Sequence, residues 1–157
     1  MLVKERFLRA YNRLIPDRAR LIEDCRVMLD TLTDCSEVDA EIETVMQEAE
    51  VVAGMVQRGV EENSTVALDQ DVYTKRYDGL VQRYEAAKGK LTELQKKRAG
   101  REKKAEAINR FMQRLAERDE PLTTFTDGLW LDSIDLVTVR ADGTLAFRFQ
   151  DGNEAIV

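Results

Sequence analysis

Histidine is absent from all 157 residues. Its absence removes the most common neutral-pH acid–base group and rules out any Ser–His or Cys–His nucleophile. There are only two cysteines, Cys25 and Cys35. A structural zinc needs four ligands at characteristic spacings, so this pair reads as small core residues kept reduced, and no metal is expected. Only two prolines and eight glycines interrupt the chain, and aromatics make up 6% of it. No glycine-rich phosphate loop occurs. With neither a nucleophile–base pair nor a cofactor motif, no enzymatic activity or cofactor is expected of this chain. No run of about 20 apolar residues could span a bilayer, and the N-terminus lacks a signal-peptide pattern. A soluble, cytoplasmic protein with no membrane partner is expected.

Charge is plentiful. Charged residues reach 34% and hydrophobic ones 43%. This balance suits long helices with narrow apolar stripes. The formal net charge is −6, which disfavours tight non-specific binding to nucleic acid.

The periodicity is helical over most of the length. In "VKERFLRAYNRLI", Val3, Phe7, Ala10, Tyr11 and Leu14 share a face. Pro16 ends that helix and suits the first turn of the next. There Leu21, Ile22, Cys25, Met28, Leu29 and Leu32 form a second stripe. Ser36 with Asp39 resembles a capping box at the start of a third helix. Its apolar positions, Val38, Ile42, Val45, Ala49, Val52 and Val56, step as a heptad seam. Beyond Gly59 the polar stretch "VEENSTVALDQ" reads as a turn.

The longest seam runs from Tyr73 through Tyr77, Leu80, Tyr84, Ala87, Leu91, Leu94, Arg98, Arg101, Ala105, Ile108 and Met112 to Leu115. A helix over this span would be roughly 70 Å long, so it is expected to project or to run past several partners. Its first half can pair antiparallel with the third helix, and its second half can pack on the N-terminal helices.

Pro121 ends the rod, and a β-hairpin is expected from near Ser133. A three-residue loop, Ala141-Asp142-Gly143, sets Val139 opposite Leu145 and Val137 opposite Phe147, with the apolar side chains on one face. A second turn at Asp151-Gly152 returns Glu154–Ile156 as a short third strand. So small a sheet needs an apolar bed. Phe7, Tyr11 and Trp130 offer one, and a neighbouring domain offers another.

The expected fold class is therefore mainly α. Residues 1–35 form a helical base. Residues 36–117 form a long antiparallel two-helix coiled-coil arm, with its tip at about 60–71 and its long helix returning to the base. Residues 118–157 form a linker and a small C-terminal antiparallel β-hairpin.

Two segments are candidate sites. Val66, Leu68, Val72 and Tyr73 are apolar in an expected tip, where an apolar cluster either closes the hairpin or marks a protein interface. The basic run "KKRAGREKK" supplies Lys96, Lys97, Arg98, Arg101, Lys103 and Lys104. It reads as a solvated face paired with nearby glutamates, or as a set of phosphate contacts.

Several blocks resemble the C-terminal part of large serine recombinases, the site-specific integrases and transposases of mobile elements. They are Glu62-Asn63, Asp69-Gln70 with Tyr73 and Arg76-Tyr77, Phe111 with Leu115, Leu129-Trp130, Val137-Thr138-Val139, Asp142-Gly143, and Phe147 to Gly152. The likeness spans essentially the whole chain and is most specific in the hairpin block. It implies a coiled-coil interaction module of a bacterial or phage-encoded protein, whose contacts between subunits control synapsis and the direction of DNA recombination. It further implies that the catalytic serine domain and a zinc-ribbon domain lie upstream, with zinc only in that ribbon. DNA would then be bound by the full-length protein, or only weakly by this part. The alternative is an unrelated structural or regulatory coiled-coil adaptor.

Overall fold

The computed structural model describes residues 2–157. The chain divides into two compact units. One comprises the residues up to Thr33 together with Arg101–Val157, and the other is Asp34–Gly100.

In the first unit, helix α1 (Val3–Asn12) buries Phe7, Ala10 and Tyr11, at the spacing that puts them on one face. It stops three residues short of the expected Ile15. The chain tightens there through hydrogen bonds from Arg13 N–H to the Ala10 carbonyl (3.2 Å) and from Leu14 N–H to the Tyr11 carbonyl (2.9 Å). A short 3₁₀ turn, Ile15–Asp17, then carries Pro16, which fits where a lost N–H costs nothing. Helix α2 (Arg18–Thr33) buries Leu21 and Cys25. The guanidinium of Arg101 donates to the carbonyls of Thr31 and Leu32, so a cation sits at the negative end of α2.

The long helix α4 (Gln70–Glu117) is continuous through Gly100. Its residues Ala105, Ile108, Phe111 and Leu115 are buried in the first unit. Beyond it, the segment expected as a plain linker contains helix α5 (Asp127–Ser133). Thr126 caps this helix, its hydroxyl accepting the Leu129 N–H at 3.2 Å.

Strands β1 (Ile134–Val139), β2 (Leu145–Phe149) and β3 (Glu154–Ile156) form one antiparallel sheet in the order β1-β2-β3. Val139 pairs with Leu145 and Val137 with Phe147, the register that a three-residue loop requires. Gly143 adopts φ +80° in that loop, a conformation that costs an L side chain 1–2 kcal/mol, roughly. Asp142 holds the turn by accepting from the N–H (2.9 Å) and hydroxyl (2.6 Å) of Thr144. An irregularity between Ile134 and Leu136 shifts the register by one residue. Ile134 and Val137, three apart, are thereby both packed against the core.

The sheet rests on the helices of its own unit. Phe7 is the centre of the contact, with ring centroids at 5.1 Å from Trp130, 5.7 Å from Phe125 and 6.2 Å from Phe147. Phe111 stacks on Phe149 at 5.7 Å. Two arginines of the α1 region fasten the outer ends, Arg6 donating to the Gly143 carbonyl and Arg13 to that of Ile156.

The second unit is a helical hairpin. Helix α3 (Ser36–Thr65) buries Val38, Val45, Val52 and Gly59, so the seam reaches Gly59, and the helix runs on to Thr65 through the start of the stretch expected as a turn. The other side of the hairpin is the part of α4 up to Gly100, which buries Ala87 and Leu94. Three ion pairs run in antiparallel order: Arg98 with Asp39 at 2.7 Å, Arg83 with Glu48 at 2.7 Å, and Arg76 with Glu62 at 3.5 Å. The capping box does not form. Ser36 is already inside the helix, and its N–H (3.2 Å) and hydroxyl (2.6 Å) both donate to the Asp34 carboxylate. Asp39 is instead committed to Arg98.

Candidate protein-interaction site

The link between α3 and α4 is four residues long, 66–69, shorter than the expected tip at about 60–71. Helical hydrogen bonding persists to Thr65 and restarts at Gln70. Asp69 explains the restart, because its carboxylate accepts the N–H groups of Asp71 (2.9 Å) and Val72 (3.2 Å). This satisfies two of the donors that a helix start leaves open. The Gln70 amide bridges the turn, donating to Asn63 Oδ1 at 2.9 Å and to the Leu68 carbonyl at 3.1 Å. Polar groups therefore close this end of the hairpin.

The four apolar residues of the tip divide into two pairs. Leu68 and Tyr73 are half-buried, and Tyr73 packs its ring 6.0 Å from that of Tyr77. Val66 and Val72 are 54% and 63% exposed. The first pair is partly covered. The second leaves two branched aliphatic side chains in water beside a turn that is already satisfied.

The basic run is less available than its composition suggests. Arg98 is bonded to Asp39, and Arg101 to the end of α2. Lys104 is half-buried, with its ammonium 3.5 Å from the Gln150 amide oxygen. Lys96, Lys97 and Lys103 are exposed.

A second exposed apolar surface, in the first unit, was not anticipated. Leu131 is 71% exposed and lines a cleft with Val3, Phe125 and Trp130. The signal was the pair Trp130-Leu131. With Leu129 before it, the pair makes three consecutive apolar residues that sweep about 200° of a helix, wider than one core-facing stripe, so Leu131 is left outside.

Among the described residues, no group of three or more side chains is placed to hold a metal ion. No helix among them is long and apolar enough to cross a membrane. Comparison of the chain with protein-family profiles, with curated proteins and with solved structures gives no match.

Proposed function

We propose that this chain is the C-terminal coiled-coil interaction module of a large serine recombinase, and that the end of its helical hairpin contacts another subunit during synapsis. The observation that carries this reading is the exposure of Val66 and Val72 beside a turn closed by Asp69, Gln70 and Asn63. None of the bonds that close the hairpin uses their side chains. The sequence blocks quoted above point to the recombinase family.

Two valines give only a weak contact. Each contributes on the order of 1.5 kcal/mol or more if fully buried, and association itself consumes much of that. Weakness suits a switch. Subunits bound to DNA are held close together, and the resulting effective concentration makes a weak contact sufficient. The catalytic step belongs, on this reading, to the upstream serine domain, and zinc to the upstream ribbon. The test is the double variant Val66→Asp/Val72→Asp in the full-length recombinase. Single-site DNA binding should be unchanged, and synapsis should fall about tenfold or change its preferred pair of sites. Unchanged synapsis would refute the assignment.

A further inference from the structure

The first unit contains a cavity of about 240 Å³ between α1, the end of α4 and the segment 118–126. Two side-chain devices hold its wall in place. Asn12 grips Leu122 twice, its amide donating to the carbonyl (2.9 Å) and its oxygen accepting the N–H (2.7 Å). Thr126 is fixed as the cap of α5. The cavity is thus built before any ligand arrives, which lowers the cost of binding.

Its floor is apolar, with Ile15, Leu122 and Leu129. Its polar lining includes Tyr11, Arg118, Thr123 and Thr124. Within the described residues, no side-chain hydrogen bond engages the Tyr11 hydroxyl, the Arg118 guanidinium or either threonine hydroxyl. Tyr11 is otherwise almost completely buried. Burial, and then the charge of Glu117, pushes its phenol up to about 12, so it stays a donor at neutral pH. Glu117 in the lining and Asp132 behind Arg114 are already engaged. Asp132 takes Arg114 at 2.7 Å and Arg110 at 3.7 Å, and Glu117 takes Arg114 at 3.6 Å. Among the residues that line the cavity, Arg114 and Arg118 stand against Glu117, which leaves one positive charge over.

We propose that this cavity binds a small organic anion, an oxyanion carried on a compact apolar body, with Arg118, Tyr11 and the two threonines as donors and the aliphatic floor under the body. A carboxylate and a phosphate monoester share this chemistry. The volume lies below the roughly 300–1,000 Å³ of pockets for drug-sized molecules, so the ligand is small. The inference is independent of the recombinase reading.

The test is an amide NMR titration of the intact chain with benzoate, phenyl phosphate and benzyl alcohol. Benzoate or phenyl phosphate should give saturable shifts confined to the cavity wall, and whichever binds tighter identifies the oxyanion. Arg118→Ala and Tyr11→Phe should each weaken binding at least fivefold. Arg140→Ala, which removes an equal charge elsewhere, should not. Tyr11→Phe keeps the buried ring, so a folded protein is retained for comparison. Three results would overturn the proposal: no saturation by either anion, equal losses in Arg118→Ala and Arg140→Ala, or benzyl alcohol binding as tightly as the anions.

Discussion

Phe7 shows how a single residue organises the first unit. It is wholly buried and meets Tyr11, Phe125, Trp130 and Phe147 ring to ring. Phe7→Ala removes the centre of this cluster and should cost about 3–5 kcal/mol, read as a lower urea midpoint. Cys25 and Tyr11 make a second prediction. Burial, with Asp151 and Asp24 adding to it, raises the Cys25 thiol from 9.0 to about 12, and burial raises the Tyr11 phenol from 10.0 to about 12. The unfolded chain therefore loses these protons first. Their contribution to stability is complete well below the unfolded thiol's pKa of 9.0 and declines as pH rises through it towards 12. Urea midpoints should fall between pH 8.5 and 11, and the fall should be shallower in Cys25→Ala. At this scale the sequence was partly legible. Phe7 and Tyr11 declare themselves by spacing. Phe111 does not, because it lies one residue off the heptad positions and is buried only where α4 must cover a sheet as well as helices.

Among the elements, the hairpin was the most legible, because strand pairing leaves few choices. A slip of one residue would turn the apolar face outward, and Asp142-Gly143 fixes the loop. Gly143→Ala should destabilise by about 1–2 kcal/mol, since φ is +80° there. Gly89→Ala should act in the opposite direction. It lies inside α4 with nothing within 4 Å of an added Cβ, and alanine should stabilise the helix by about 1 kcal/mol. Thermal unfolding of the two variants would show the opposite signs. Helix α5 escaped notice because seven residues are too few to display a 3.6-residue period. Its one signal was Thr126 before Asp127, a cap followed by an acid in the first turn. The bulge at the start of β1 left no mark, since it follows from the need to bury both Ile134 and Val137.

For the whole molecule, the two units differ in how they are held together. The first has an aromatic core from six helical and strand segments. The second has a narrow seam around Val45, Ala87 and Leu94, with ion pairs that are half-exposed and so contribute little each. Native-state hydrogen exchange should therefore find the lowest opening free energies in α3 and the part of α4 up to Gly100. The amides of β2 and α1 should exchange last. Equal protection in both units would contradict this. The helical hairpin itself was legible from its seams, but the use of its tip was not. Sequence alone cannot divide Leu68 and Tyr73, whose side chains are half-buried, from Val66 and Val72, whose side chains are exposed.

Cross-linking at the tip tests the central claim most directly. Ala67 is exposed between Val66 and Leu68, so, on the function proposed above, Ala67→Cys in the full-length protein places a thiol at the proposed contact. With both attachment sites present, a short bismaleimide should join subunits bound to different DNAs, beyond the background of the unsubstituted protein. Adding Val66→Asp and Val72→Asp should abolish that product. If synapsis proceeds and no tip-to-subunit cross-link forms, the hairpin's end is not the contact and the account is wrong.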